Sequence, residues 1–263
     1  MRNKKTERGF GDTSRSEESR AIETDEYAEE LQKMIDASRK TVFFGGAGVS
    51  TESGIPDFRS ADGLYSEKYG SLRPEEIISR SYFNRDPAGF YRFFREKMLP
   101  GDARPNEAHK KLAQLEAAGK LSCVITQNID GLHQAAGSRR VYELHGTVHR
   151  GWCTRCGKRY GSEYLNMGEV PTCACGGVIS PAVVLYEDPL DSDVCSKAIA
   201  EISAADLLIV AGTSLTVYPA AGFLRYFGGS ELVLINRAET QYDRIAGAVC
   251  RCNVGELMAK IKA

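Results

Sequence analysis

The stretch Thr41-Val-Phe-Phe-Gly-Gly-Ala-Gly48 decides the fold class of this chain. Its first four residues are β-branched or aromatic, which predicts a short buried strand, and the glycines that follow predict a tight turn. Ser50 and Thr51 stand in the next segment. A strand followed by a glycine turn and a polar segment is typical of the first unit of a nucleotide-binding α/β domain.

Three further apolar runs predict strands that belong with the first one, at 121–126, 206–210 and 232–235. Apolar residues at helical spacing predict helices at 25–38 and 108–118. This alternation of strands and helices favours a parallel sheet that is covered by helices on both faces. Polar or glycine-rich residues follow each strand, and ligands bind at the carboxyl ends of such strands, so we expect one shared site there.

The composition fits one large domain with a small insert, because the chain has 263 residues, of which 42% are hydrophobic and 26% charged. The formal net charge of -1 lacks the basic excess of nucleic-acid-binding proteins. No apolar run approaches the roughly 18 residues that span a bilayer. The charged segment 1–23 has no secretory apolar core, so we predict a disordered tail and a cytoplasmic, reducing location.

Four of the eight cysteines are grouped in 151–177, a segment with little apolar periodicity. Paired thiolates are typical of tetrahedral structural zinc, whereas catalytic zinc keeps an open position. Four free buried cysteines are the alternative. We predict a zinc-held insert at 151–177 whose ligands are Cys153, Cys156, Cys173 and Cys175. Cys250 and Cys252 suggest either a second metal pair or two buried strand cysteines, and the lack of a partner pair favours the second interpretation.

Gly46 and Gly48 alone leave nucleotide binding open, because Thr51 stands where the third glycine of the dinucleotide fingerprint would be. The run 46–59, however, reads GAGVSTESGIPDFR and closely resembles the sirtuin signature. Five further motifs follow in the order of that family: TQNIDGLH at 126–133, LHG at 144–146, the paired cysteines, GTSL at 212–215 and INR at 235–237.

The resemblance to bacterial-type, zinc-containing sirtuins covers roughly residues 25 to 260. It implies an NAD-dependent protein-lysine deacylase, mainly a deacetylase, that yields free lysine, nicotinamide and O-acetyl-ADP-ribose. It implies a Rossmann-like domain at 24–150 and 178–263, with the zinc insert and helices within 60–105 forming a small domain. NAD and acetyl-lysine proteins would meet in the cleft between them. We also expect a monomer without nucleic-acid or membrane partners.

The resemblance also implies roles for individual residues. His145 would be the general base, and Asn128 would hold the nicotinamide ribose and an ordered water. The implied NAD contacts are Ala47, Thr51, Phe58, Arg59, Gln127, Ile129, Asp130, Thr213, Ser214, Asn236, Asn253 and Val254. The implied substrate contacts are Val183, Val184 and Tyr91. From the residues alone, each of the four histidines is a candidate base, Asp130 is a candidate helix cap, and Arg59 is a candidate surface residue.

Two local features bear on the substrate. Sirtuins that prefer dicarboxylic acyl groups carry a tyrosine and an arginine three residues apart, but Phe94 follows Tyr91 at that spacing. Arg95 is one residue further, about 100° around a helix, so we predict an apolar acyl pocket. The family commonly has Phe-Gly-Glu where this chain has Tyr186 and Glu187 without the glycine, which leaves the geometry of that substrate loop open.

Three other classes of protein compete with the deacylase interpretation. An NAD-consuming ADP-ribosyltransferase shares the cofactor site, although His145 favours deacylation. A non-catalytic zinc and nucleotide-binding module is disfavoured by Asn128, Asp130 and His145 occurring together. A dehydrogenase would need a further acid–base set for hydride exchange, and the sequence suggests none.

Overall fold

The computed structural model describes residues 17–58, 60, 63–65 and 68–263. The strands are β1 Thr41–Gly45, β2 Cys123–Thr126, β3 Val141–Glu143, β4 Gly146–Cys153, β5 Arg159–Gly161, β6 Ile179–Val183, β7 Leu207–Ala211, β8 Glu231–Ile235 and β9 Ala248–Cys250. The α-helices are α1 Glu17–Ala37, α2 Pro74–Ile77, α3 Arg80–Arg85, α4 Pro87–Phe93, α5 Glu107–Ala117, α6 Leu132–Ala135, α7 Ser162–Leu165, α8 Ser192–Ala204 and α9 Val254–Lys260. Short 3-10 helices occupy Ala47–Val49, Thr51–Ser53 and Ala220–Tyr226, and a π-helix occupies Phe94–Met98.

The larger sheet is parallel and has the strand order β3-β2-β1-β7-β8-β9. The chain leaves β1 toward β2 and β3 on one side and later places β7, β8 and β9 on the other. The order therefore reverses between β1 and β7. In open α/β sheets such a reversal leaves a crevice at the carboxyl ends of the strands, where ligands bind.

Both faces of this sheet are buried, as the continuous apolar strands predict. Phe43 and Phe44 are fully buried neighbours in β1 that point to opposite faces, because side chains alternate along a strand. Phe43 joins the core that α1, α5 and α9 cover. Phe44 joins the core beneath α8 and the 3-10 helix Ala220–Tyr226. The predicted Rossmann-like α/β sheet is confirmed.

Helix α1 begins at Glu17, so the predicted tail 1–23 was too long. Residues 17–23 are mostly strong helix formers, and they extend the helix that apolar spacing predicted only from residue 25. The helix is tied to the C-terminal helix α9, where Lys260 Nζ lies 2.6 Å from Asp25 Oδ1. Residues 1–16 of the predicted tail lie outside the described residues.

The smaller sheet is antiparallel, with the order β5-β4-β6. It runs from Gly146 to Val183 and so extends on both sides of the predicted insert 151–177. Helices α2 to α4 and the π-helix share one apolar core with it, in which Phe90, Leu165 and Ile179 are fully buried. Within the described ranges, no helix is long and apolar enough to cross a membrane.

Candidate active site

A cavity of about 680 Å³ opens at the carboxyl edge of the parallel sheet and reaches the smaller sheet. The turns that follow β1, β2, β7 and β8 all contribute to its wall. This is the edge at which the sequence predicted one shared site. Its wall includes most of the predicted site residues: Ala47, Thr51, Phe58, Gln127, Asn128, Ile129, His145, Val183, Val184, Thr213, Ser214, Asn236, Asn253 and Val254.

The glycine turn after β1 packs directly on the turn after β7. The Gly48 N–H donates to the Gly212 carbonyl over 2.8 Å. A Cβ atom on Gly48 would lie only 2.7 Å from Gly212 Cα, so a side chain there would force the two turns apart. The glycine at 48 is therefore required by contact between two backbones, and it lets the two turns of the cavity wall lie close together.

His145 follows β3 and enters the cavity as a neutral base. Its Nδ1 lies 3.0 Å from the Gln127 carbonyl oxygen. Because a carbonyl oxygen only accepts, Nδ1 carries the proton and Nε2 of the neutral ring is left as an acceptor. Burial lowers the pKa of His145, although its hydrogen bond to Gln127 opposes that shift. The residue therefore suits proton abstraction at neutral pH.

Asn128 belongs to a buried polar network behind the cavity wall. Ser50 Oγ donates to Asp130 Oδ2 over 2.7 Å and accepts a hydrogen bond from Asn128 Nδ2 over 3.0 Å. His109 Nε2 lies 3.5 Å from the same hydroxyl. The family resemblance implies no role for Ser50 or for His109, which is one of the four candidate bases from the residues alone. Ser50 lies inside a motif, but only the fold brings His109 from α5 to it.

Two predicted contacts lie elsewhere, and a third lies outside the described residues. Asp130 stands behind the wall, where Oδ2 binds Ser50 and Oδ1 accepts from the Leu132 N–H at the start of α6. Tyr91 is fully buried, and its hydroxyl donates to the Ile179 carbonyl. That partner holds the side chain in the core of the smaller sheet, and contact between Tyr91 and substrate stays a prediction. Arg59 is not among the described residues.

The apolar end of the cavity, beside the smaller sheet, has Ile78, Met98 and Leu185 in its wall. Glu187 and Asp188 follow in the same wall, where their carboxylates bind Ser81 and Arg80. Arg95 does not reach the apolar end, because its guanidinium donates to the carbonyls of Leu165 and Glu169. Among the described residues of the wall, Arg237 carries the one Lys or Arg charge, and it lies beside Asn236 after β8. An acyl group at the apolar end would therefore meet no cation in that wall.

The loop 184–188, which the resemblance places beside substrate, is held by side-chain contacts although it lacks the family's glycine. Glu187 has φ of 78°, in the left-handed region that favours glycine. Its carboxylate accepts hydrogen bonds from the Ser81 backbone N–H at 2.9 Å and the Ser81 hydroxyl at 2.8 Å. Asp188 pairs with Arg80 through two hydrogen bonds of 2.8 and 2.9 Å. These contacts with the start of α3 hold the loop against the cavity.

The four predicted zinc ligands converge. The sulfur atoms of Cys153, Cys156, Cys173 and Cys175 all lie within 4.8 Å of one another. Two of the pairs are 3.4 and 3.6 Å apart. Tetrahedral zinc with bonds of about 2.3 Å places its sulfur ligands about 3.8 Å apart, so the cluster is compatible with one structural zinc. No second such group occurs in the described part of the chain.

Cys250 and Cys252 do not extend this cluster. Cys250 is buried in β9, and Cys252 borders the cavity. Burial raises the pKa of each thiol to about 12, which leaves both protonated at neutral pH. Neutral thiols of this kind are poor metal ligands and behave as small apolar side chains.

The fold and the site define an α/β protein with a dinucleotide-sized cavity beside a four-cysteine module. A protein-family model for the Sir2 family matches residues 46–219. An NAD-dependent protein deacetylase of Clostridium acetobutylicum is 51% identical over 236 residues, which is 88% of this chain and 96% of that relative. The chain therefore belongs to the Sir2 family.

Solved structures agree in fold. A Sir2 protein holding a deacetylated peptide and 3'-O-acetyl ADP ribose has a TM-score of 0.82 and 41% identity, over 88% of this chain and 96% of that one. A complex of a Sir2 homologue with NAD has a TM-score of 0.80 and 40% identity, over 88% of this chain and 91% of that one.

Proposed function

We propose that this chain is an NAD-dependent protein-lysine deacetylase that converts acetyl-lysine to free lysine and releases nicotinamide and O-acetyl-ADP-ribose. The observation that carries the proposal is the neutral His145, whose Nδ1 proton is held by Gln127 inside the cavity that also contains Ala47 and Asn128. The named activity of the Clostridium acetobutylicum relative supports it.

NAD would supply an electrophilic ribose carbon, to which the acetyl oxygen of acetyl-lysine bonds as the bond to nicotinamide breaks. The role of His145 is to accept a proton at Nε2 from a ribose hydroxyl, so that this oxygen attacks the acyl carbon. A pKa lowered by burial keeps Nε2 unprotonated before the reaction. The bond from Nδ1 to the Gln127 carbonyl then stabilises the imidazolium that forms, because a cationic donor strengthens its hydrogen bond.

The residues of the cavity wall can be assigned to successive parts of an extended dinucleotide. Ala47 and Thr51 would lie along the pyrophosphate side, opposite Thr213 and Ser214, and Asn236 with Asn253 and Val254 would face the adenosine half. At the other end, Gln127 and Asn128 would hold the nicotinamide ribose, and Ile129 would meet the carboxamide. Phe58 and Arg59 would cover the nicotinamide and phosphate. The side chain of Asp130 lies behind the wall. Asp130 would therefore influence the bound carboxamide indirectly, through its hydrogen bond with Ser50 and through its own backbone.

The acyl-lysine would enter beside β6. This strand forms the edge of the described antiparallel sheet, and Val183 and Val184 at its end line the cavity. An edge strand offers unpaired backbone groups to which an extended peptide adds as a further strand. The lysine chain would then pass Val183 toward His145, and the acyl group would meet the apolar end of the wall.

The setting of the protein stays a prediction. A reducing, cytoplasmic location suits four thiolates that are free to bind zinc. A monomer is likewise predicted.

The test of the proposal is incubation of the purified protein with an acetyl-lysine peptide, with and without NAD, followed by mass spectrometry. The expected result is deacetylated peptide, nicotinamide and O-acetyl-ADP-ribose in equal amounts, all dependent on NAD. NAD consumption with an unchanged peptide and an ADP-ribosylated protein would establish the transferase alternative instead.

A further inference from the structure

The imidazole of His149 holds the loop 128–130 from outside the cavity. His149 Nε2 lies 2.8 Å from the Asp130 carbonyl oxygen. Because that oxygen only accepts, Nε2 carries a proton and donates. One residue earlier in β4, the Val148 N–H donates to the Ile129 carbonyl over 3.0 Å. Two successive carbonyls of the loop are therefore tied to two successive residues of β4.

Gly131 makes room for this imidazole. It has φ of 72°, and a Cβ atom built on it would lie 2.4 Å from His149 Nε2. The ring thus occupies the space that any side chain at 131 would need, and it packs on bare backbone. The hydrogen bond and the packing together fix the peptide unit between Asp130 and Gly131.

The side chains of Asp130 and Asn128, which precede that peptide unit, form a polar network with Ser50. The Asp130 carboxylate accepts the Ser50 hydroxyl at 2.7 Å, and Asn128 Nδ2 donates to the same hydroxyl at 3.0 Å. Asp130 and Asn128 are only 7% and 9% exposed. His149 is exposed and does not line the cavity. Its influence on the site therefore passes through the backbone of the loop.

We propose that His149 is a positioning residue for NAD and for nicotinamide, and this rests on the proposed function. Its bond to the Asp130 carbonyl sets where Asn128 and Ile129 stand at the nicotinamide end of the cavity. Nε2 carries a proton both in this neutral tautomer and in the imidazolium, so the bond persists whichever charge the ring has. Loss of one such hydrogen bond changes an equilibrium by about fivefold. The acyl-peptide contacts at Val183 and Val184 lie on another strand and are left in place.

The experiment compares the full chain with His149→Phe, which keeps a ring but loses the donor, and with His149→Gln, whose amide restores an N–H at a similar reach. Arg150→Ala is the matched control, because Arg150 is the next exposed residue of β4 and its guanidinium faces Glu143 at 3.7 Å. Steady-state deacetylation gives the KM for NAD, the KM for peptide and kcat, and added nicotinamide gives its inhibition constant.

In His149→Phe we expect the KM for NAD and the inhibition constant of nicotinamide to rise about fivefold. The KM for peptide and the melting temperature should stay near those of the wild type. His149→Gln and Arg150→Ala should stay within about twofold of the wild type, which is the scatter expected of near-neutral changes. An active wild type with unchanged values in His149→Phe would overturn the positioning role alone, as would a His149→Gln variant impaired as much as His149→Phe. A wild type that releases no nicotinamide would overturn the proposed function itself.

Discussion

At the scale of single residues, the site depends on where protons are held before any substrate arrives. The Gln127 carbonyl accepts a hydrogen bond from Nδ1–H of His145, and the Asp130 carboxylate accepts one from the Ser50 hydroxyl. Each assignment follows from a partner that can only accept. The backbone that presents these acceptors is the QNID segment, so one short loop fixes both the base and the polar network behind it.

The pH dependence of the reaction follows from the burial of His145. Burial lowers its pKa below the ordinary value of 6.5, so the base stays neutral further into the acid range. The rate should be constant through neutral pH and fall only as the pH drops through that lowered pKa. A profile of kcat/KM for peptide between about pH 5 and 8 checks this, and an acid limb with its midpoint above 6.5 would contradict it.

Acyl selectivity follows from the position of Arg95, whose guanidinium is bound to the Leu165 and Glu169 carbonyls. A carboxylate at the apolar end of the cavity would lose water without gaining a cation. We expect kcat/KM for succinyl-lysine to be at least about 10-fold below that for acetyl-lysine, since even a modest uncompensated polar group costs that much. Propionyl-lysine, which adds only one methylene, is the neutral control. Equal rates for succinyl and acetyl peptides would show that a cation reaches the acyl group.

At the scale of elements, the sequence predicts helices and strands best where one hydrophobic pattern continues without interruption. The run 41–44 became β1, and helix 108–118 became α5 with its start moved to Glu107. The spacing of Tyr91 to Phe94 can be read from the sequence, whereas the Ile179 carbonyl that accepts its hydroxyl comes from a distant strand and cannot. The smaller sheet was undetected for the same reason: β4 and β6 are paired across the whole cysteine segment.

In the site, too, the sequence predicts what lies within one contiguous run better than contacts between distant elements. His145 and Asn128 both line the cavity, because each lies in a contiguous motif next to a strand end, and their roles stay predictions. For His109 and His149 the sequence predicts no more than a candidate base, since their partners are more than one element away. Ser50 was missed although it stands inside a motif, because hydroxyls are common near glycine turns and only its partner identifies it.

The contact between the β1 and β7 turns predicts the effect of a single methyl group. In Gly48→Ala the new Cβ would lie 2.7 Å from Gly212 Cα, so the turns must separate. Overpacking of this kind costs about 1–3 kcal/mol of unfolding free energy, and we expect the KM for NAD to rise about tenfold or more as the wall shifts. Urea unfolding and NAD kinetics measure the two effects. Gly228→Ala, where a Cβ meets nothing within 4 Å, is the control. Equal behaviour of the two variants would refute the contact argument.

At the scale of the whole molecule, two histidines are buried between the sheet and α5. His109 and His133 are 0% and 1% exposed, with ring centroids 4.7 Å apart. Burial lowers the pKa of His109 to about 4 and that of His133 to about 3. Among the described residues neither nitrogen of His133 has a hydrogen-bond partner, so none of them compensates a charge on that ring. The folded chain therefore resists protonation that the unfolded chain accepts.

Because the pKa values of the two histidines differ between the folded and unfolded chain, the free energy of unfolding depends on pH. Both folded pKa values lie below the unfolded value of 6.5, so stability is fully present above about 6.5 and declines as the pH falls toward 4. Each histidine contributes up to about 1.4 kcal/mol per pH unit in that window. Urea unfolding at pH 5 and 7 measures the loss, and His133→Phe should remove about half of the part due to this pair. Equal stability at the two pH values would contradict the account.

A single-turnover experiment asks whether His145 is the base that completes transfer of the acetyl group to the ADP-ribose part of NAD. Wild type and His145→Ala are mixed with acetyl-lysine peptide and NAD, and free lysine peptide and O-acetyl-ADP-ribose are followed by mass spectrometry. We predict one equivalent of each from the wild type and a loss of about 10²-fold or more in their formation by the variant, the usual contribution of a positioned base. Formation of both products at the wild-type rate by His145→Ala would contradict the account.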